Sequence, residues 1–341
     1  MLISQRIIFI SLLLLMTACQ HISEQDIKKD WQVYQSRFIS ADGRVIDTGN
    51  GSVSHSEGQG YGLILAVKNH DQANFQKIWQ WTKSNLQVRQ DQLFMWRKRQ
   101  DVDLKDEDMN NATDGDMLIA WALLEAGKLW QQPEYRKEAE KIIADVKLKL
   151  IKSWNGLDVV LPGEFGFNHE GVLVINLSYW IYPAFENFSK TDNDPIWHKL
   201  MESGRIIMEK ARYGRWQLPP DWLQLNIDNS MEPIQTKRFG YDAVRVPLYL
   251  LLNHEKAQNL TAFADFWAFY QPYTPAWIAL NENIMDSYGA SDGIQAIKKL
   301  TLWRAGRTDS IEIKPLNHDQ DYYSSTLLLL SKISYLLLEN Q

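Results

Sequence analysis

The sequence has one cysteine, Cys19, in 341 residues. It can therefore form no internal disulfide and no thiol-rich metal cluster. Basic blocks are missing as well. The net charge is -6, so the electrostatic footprint of a nucleic-acid partner is absent. Beyond the first twenty residues no apolar run is long enough to span a bilayer. The run Leu327–Leu330 is short, is soon followed by Lys332, and reads as part of a core helix. There is no βαβ alternation, which speaks against a parallel sheet. The acidic stretch Asp101–Asp108 lacks the spacing of an EF-hand and reads as a solvated loop or a weak calcium site.

Aromatic residues are abundant, with Trp 14 and Tyr 14. They serve either a large core or flat surfaces on which the C–H faces of sugar rings stack. At 45% hydrophobic and 23% charged, the composition is that of a folded globular protein. The length suits one large core or two moderate ones.

Residues 1–20 carry Arg6, an apolar run Ile7–Met16 and then small residues before Cys19. This is the outline of an export signal and stands apart from the fold. Met16-Thr17-Ala18-Cys19 resembles a bacterial lipobox. The expected signal is 1–18, with Cys19 as the first mature residue and the lipidation site. The alternative is ordinary cleavage nearby, leaving a soluble periplasmic protein. Any membrane contact is expected through that anchor alone.

The chain is organised around 112–130, ATDGDMLIAWALLEAGKLW. Leu118, Ala122, Leu123, Ala126, Leu129 and Trp130 recur at helical spacing, so one broad face should be buried. Asp114 and Asp116 stand at its mouth. Thr113 followed by Asp116 has the outline of a helix cap, which accounts for one acid. Gly115 between the two acids leaves room for a ligand to approach the backbone.

Two further acids stand out. Ser54 and Glu57 match a capping box, and Gly58, Gly60 and Gly62 then interrupt a helix start. Glycines at such a place suit a bulky ligand pressing on the backbone. A partly desolvated Glu57 suits a general acid. Asp242 and Arg245 are three apart, so they share a helix face. They form either a surface ion pair or an aspartate oriented by arginine. Trp96 sits in the long charged connection 87–113, where loop residues often carry function. Asn176, Tyr179 and Trp180 cluster near another expected helix start, and Pro183 should interrupt a helical hydrogen bond.

Helical patterns are expected at 24–38, from Gly58 onward, and at 71–86, 114–131, 133–151, 176–189, 192–210 and beyond Arg245. Four more are expected at 257–270, 276–283, 290–303 and 320–338. That makes about twelve helices and few convincing strands. Antiparallel helical hairpins closed into a toroid would gather the acids and aromatics on one face. The residues by themselves support only a mostly helical fold.

The chain resembles glycoside hydrolase family 8, once called cellulase family D. The resemblance is carried by Ala112-Thr113-Asp114-Gly115-Asp116, Ile119-Ala120, Ala122-Leu123-Leu124, Ala126 and Trp130. It extends through SEGQGYG, NLSYWIYPAF, LPPDW, YDAVRVPLYL and YYSSTLLLL. It implies an all-α (α/α)6 barrel over 24–341 as one catalytic domain. The implied chemistry is inverting cleavage of β-1,4-glycosidic bonds, with neither cofactor nor metal. Glu57 is implied as general acid, Asp242 as base and Asp114 as the aspartate that positions and distorts the sugar. Tyr61, Trp96, Asp116, Asn176, Tyr179, Tyr241, Arg245 and Tyr323 are implied as substrate-binding residues. The similarity is greatest to periplasmic endoglucanases encoded with bacterial cellulose synthase. The implied partners are thus a β-1,4-linked glucan chain and, functionally, the synthase machinery. Chitosan and xylan are alternative substrates. A non-catalytic glycan-binding lipoprotein and a polysaccharide lyase are rival classes.

Inversion requires two carboxyl groups about 6.5–9.5 Å apart, with room for a water between base and sugar. Glu57 should then be protonated in the resting cleft, and Asp242 ionised beside Arg245.

Overall fold

The computed structural model describes residues 22–340. The expected signal at 1–18 and Cys19 lie outside the described residues. Among them are eleven α-helices. Six form an inner ring: α2 (Ser56–Lys68), α4 (Thr113–Leu129), α6 (Tyr182–Asp192), α8 (Arg245–Leu252), α10 (Asp292–Arg304) and α11 (Tyr322–Glu339). Five lie outside: α1 (Glu24–Phe38), α3 (Gln72–Asn85), α5 (Pro133–Leu150), α7 (Ile196–Lys210) and α9 (Thr261–Phe269). Helix α2 packs on α4, α4 on α6, α6 on α8, α8 on α10 and α11, and α11 back on α2. The result is an (α/α)6 barrel.

Composition explains the two rings. Helix α8 is buried at every position and α2 at nearly every one, so each meets neighbours on all sides. Outer helices bury a single stripe, as Ala139, Ile142, Ile143, Val146 and Leu150 do along α5. The core cluster runs from Ile22 to Leu338. On α1, Trp31, Tyr34 and Phe38 share the buried face, as the spacing suggested, and Leu327–Leu330 are core residues of α11.

An ion pair ties the last helix of the inner ring to the first outer helix. Lys332 Nζ of α11 lies 2.6 Å from Asp30 Oδ2 of α1, with side chains only 3% and 5% exposed. Asp30 Oδ1 also accepts from Leu316 N at 3.0 Å. Ile311, Ile313 and Leu316 are buried in an extended segment between α10 and α11. Through Leu316 N this segment is bound to Asp30 of α1.

Several local expectations are corrected. No helix covers 276–283. Ile278–Ala279 instead pairs antiparallel with Arg238–Phe239. The stretch 176–189 is a short turn, Leu177–Tyr179, followed by α6. Pro183 lies in the first turn of α6, where no internal hydrogen bond is lost. The excursion 214–239 contributes to a four-stranded antiparallel sheet, ordered Asn168–His169, Val172–Ile175, Leu223–Leu225, Met231–Pro233.

Both expected caps are also different. Helix α2 is capped by His55, whose Nδ1 accepts from Gly58 N at 2.9 Å. Ser54 Oγ instead donates to Val45 O at 2.6 Å. Ala112 occupies the cap position of α4, and Thr113 Oγ1 donates to Leu161 O at 2.6 Å.

Candidate active site

Helices α2, α4, α8 and α11 all begin at one end of the barrel, so their positive dipole ends gather there beside several carboxylates. Two glycines bring α2 and α4 close enough for this. A Cβ on Gly60 would stand 2.5 Å from Leu118 Cβ. One on Gly115 would stand 2.6 Å from Ser56 Cβ and 2.7 Å from Glu57 N. These contacts are helix against helix. The expected ligand approach at Gly60 and Gly115 is therefore corrected: the missing side chains make room for protein, and set the start of α2 on the start of α4.

Arg245, 4% exposed at the start of α8, occupies the centre. Its Nη2 donates to Asp242 Oδ1 at 2.7 Å and to Ser178 Oγ at 3.0 Å. Its Nη1 is ion-paired with Glu57 Oε1 and lies 3.9 Å from Asp114 Oδ2. One planar guanidinium thus touches carboxylates from α2, from α4 and from the turn ahead of α8. Acids at positions 57, 114 and 242 converge on it, although 185 residues of sequence separate the first from the last. Arg245 was expected beside Asp242, and there it lies; it contacts Glu57 as well.

Asp242 accepts from Trp222 Nε1 at 3.1 Å through its second oxygen. Its carboxyl is pushed up to about 7, chiefly by desolvation, and also by the neighbouring Asp221 and Asp114 carboxylates. The Trp222 N–H works in the opposite direction. The expectation of a fully ionised Asp242 at neutral pH is corrected accordingly: burial among like charges outweighs the arginine. Asp114 is pushed up to about 6 by burial, against the Gly115 N–H, which donates to Oδ1 at 2.7 Å.

The other expected residues fall into three groups. The first surrounds the acids. Tyr61 is buried beneath Glu57, 3.5 Å from Oε1 and 2.6 Å from the Tyr249 hydroxyl. The Tyr179 hydroxyl lies against Asp114. Asn176 is buried, and its Oδ1 accepts from Ser178 N at 2.9 Å. Its Nδ2 approaches Asp242 without closing a hydrogen bond.

The second group flanks the cleft. Trp96 is half-buried under the Arg97 guanidinium, 4.2 Å from its ring centroid, and donates to Asp108 Oδ2 at 2.9 Å. Its backbone carbonyl accepts from Ser56 N at 2.9 Å, which ties this connection to the start of α2. Tyr323 donates to the Tyr241 carbonyl, and the two rings meet edge to face.

Asp116 stands alone in the third group and is a correction. It is fully buried, and its two oxygens accept from Phe94 N at 2.8 Å and from Asn111 Nδ2 at 2.7 Å. It binds the connection 87–111 to α4 and does not face the cleft. Burial pushes its carboxyl up to about 8.

Sequence reasoning missed three neighbours. Trp222 contacts Asp242 directly and stacks on Phe167 at 6.0 Å. Asp221 accepts from the backbone N–H groups around Asp242. His55 Nε2 lies 3.4 Å from Asp47 Oδ2, and its Nδ1 lies 3.8 Å from Glu57 Oε2. The adjacent Asp-Trp in LPPDW was the available signal for the first two.

This geometry agrees with comparisons to known proteins. The family model for "Glycosyl hydrolases family 8" matches residues 3–335. A "Probable endoglucanase" of Novacetimonas hansenii is 39% identical over 313 residues, covering 90% of each chain. An "Endoglucanase" of Cellulomonas uda is 39% identical over 278 residues, covering 80% of this chain and 77% of its own. The solved structure of endo-beta-1,4-glucanase CMCax from Acetobacter xylinum superposes with a TM-score of 0.85 at 36% identity. That match covers 92% of this chain and 98% of the other. With the barrel, the convergent acids and a family match along nearly its whole length, this chain belongs to the glycosyl hydrolases of family 8.

Proposed function

We propose that this chain is an endo-β-1,4-glucanase that cleaves cellulose-like β-glucan with inversion. The observation that carries the reading is the single Arg245 guanidinium contacting Glu57, Asp114 and Asp242. The endoglucanase names of the relatives support the substrate class.

In the free cleft Glu57 is paired with Arg245, against the expectation of a protonated acid at rest; when the glycosidic oxygen displaces that contact, Glu57 takes up a proton from solvent and passes it to the leaving oxygen. Asp242 takes a proton from water on the opposite face of the sugar. Asp114, hydrogen-bonded to its own helix start, holds the sugar hydroxyls while the ring flattens towards an oxocarbenium ion. An Asp242 pushed up to about 7 is a competent base near neutral pH. The cellular reading is narrower: residues 24–341 act as one exported catalytic domain, anchored by lipid at Cys19, in bacterial cellulose biosynthesis. Retention of the Cys19→Ala protein in the membrane fraction would remove the anchor from this reading. Unchanged cellulose output after loss of the enzyme would remove the biosynthetic role.

The direct experiment is a reducing-end assay on soluble cellulose, xylan and chitosan, run beside Glu57→Gln and Asp242→Asn. Soluble cellulose should be the best substrate, and each variant should lose about 100-fold or more of kcat while remaining folded. NMR of the first product should show the α-anomer. A β-anomer first would exclude inversion, and full activity of either variant would remove its assigned role.

A further inference from the structure

The loop 271–290 carries aromatic side chains that none of the chemistry above uses. Asp286 organises it. Its carboxylate accepts from the Tyr273 hydroxyl at 2.7 Å, Ala276 N at 2.6 Å, Trp277 N at 3.3 Å and Tyr288 N at 3.0 Å. These bonds hold its carboxyl below the usual range against the opposing effect of burial. Ile278–Ala279 fixes the same loop to Arg238–Phe239, only a few residues before Asp242. The loop is thus rigidly attached to the strand that leads to Asp242.

Its rings are fixed in turn. Trp277 Nε1 donates to the Tyr288 hydroxyl at 3.0 Å, and that hydroxyl lies 2.9 Å from the Tyr241 hydroxyl. The Arg238 guanidinium lies 5.5 Å from the Tyr241 ring centroid and 5.6 Å from that of Trp277. Asp221 anchors Arg238 through Nε at 3.1 Å. Yet Tyr288 is 66% exposed, with Ile284 at 60% and Tyr273 and Met285 at 40% beside it. A tyrosine so exposed adds little to a core. Held by its hydroxyl, it presents a rigid apolar face to solvent at small entropic cost on binding.

We propose that Trp277 and Tyr288 extend the cleft from Tyr241 as an aromatic platform for further pyranose units of the glucan, on the Asp242 side. This rests on the endoglucanase reading above. The chemistry favours a neutral sugar. The rings offer C–H stacking faces, and Arg238, the cation that lies over two of them, is already engaged with Asp221. Tyr241 immediately precedes Asp242, so a chain lying on the platform continues directly into the reacting unit.

The test compares KM for cellohexaose with KM for cellotetraose in wild type, Tyr288→Ala and Tyr288→Phe. A stacking contact of about 1.4 kcal/mol corresponds to about tenfold in binding. Tyr288→Ala should raise KM for cellohexaose about tenfold more than for cellotetraose. Tyr288→Phe, which keeps the stacking face but loses the hydroxyl that holds it to Trp277 and Tyr241, should recover part of the wild-type KM for cellohexaose. Equal rises on both substrates, or a loss of kcat alone, would mean that the loop only braces Asp242, and would overturn the platform. An unchanged ratio in a wild type that cleaves both oligomers would overturn the platform and leave the glucanase reading standing. If the wild type neither cleaves cellohexaose nor, as Glu57→Gln, binds it in calorimetry, both readings fall together.

Discussion

The Asp221 carboxylate accepts the backbone N–H of Asp242 at 3.2 Å, together with those of Gly240 at 2.9 Å and Ala243 at 2.9 Å. One buried acid thus fixes the turn that carries the proposed base, and its charge raises the carboxyl of that base. The same residue holds Arg238, which lies over Tyr241 and Trp277. Positioning of the base and positioning of the aromatic loop therefore share one support. The roles differ from what sequence spacing suggests, because the residue that sets Asp242 is 21 positions upstream, in the bend that leads into Leu223–Leu225.

Asp221→Asn removes a negative charge beside Asp242 and keeps an oxygen for the three N–H groups. Asp242 should then ionise more easily. The low-pH limb of kcat/KM, which requires an ionised base, should move to lower pH. A pH–rate profile checks it, and a limb that stays fixed or moves upward contradicts the electrostatic account. Overall rate should also fall, since the new amide nitrogen faces Arg238.

Trp222→Phe acts in the opposite sense. The indole N–H stabilises the charged form of Asp242 from 3.1 Å. Without it the same limb should move to higher pH. The two variants share a neighbourhood, so opposite shifts separate charge effects from general damage to the turn.

Gly115→Ala tests the packing of α2 on α4. The added methyl would meet Ser56 Cβ and Glu57 N inside contact distance, so one helix start must move. Overpacking of this kind costs about 1–3 kcal/mol in stability, which denaturant unfolding can measure. A displacement of Glu57 by about 1 Å would cost about 100-fold in kcat. Wild-type activity with wild-type stability would show that the two helices have slack.

How much of this was legible follows from what sequence carries. The long helices were, because α1 and α5 bury stripes at regular spacing and α4 is a continuous apolar run. Glu57, Asp114 and Asp242 stood out because acids at the head of apolar helices are conspicuous. The meaning of Gly60 and Gly115 was not legible. A sequence shows that a side chain is missing but not whether a ligand or another helix fills the space. The 276–283 stretch misled for a related reason. Its apolar residues suit a helix, but Asp286 captures its backbone N–H groups and Arg238–Phe239 pairs with it, and both partners are remote or irregular. Trp222 and Asp221 were hidden in a turn-rich excursion whose short strands find partners only in the folded chain.

The junction of α11 with α1 can be tested away from the cleft. Lys332 and Asp30 join α11 to α1 with both side chains almost wholly buried. Lys332→Met leaves the Asp30 carboxylate without its cation, and breaking such a pair costs about 3–5 kcal/mol. Unfolding should therefore occur at clearly lower denaturant. The double variant Lys332→Met with Asp30→Leu removes both charges and should recover much of that loss, although Leu316 N then lacks its acceptor. The prediction is a large positive coupling in the double-mutant cycle, measured as midpoint shifts at constant slope. Additive losses would mean that the seam is held by the surrounding apolar contacts and that the ion pair is incidental to it.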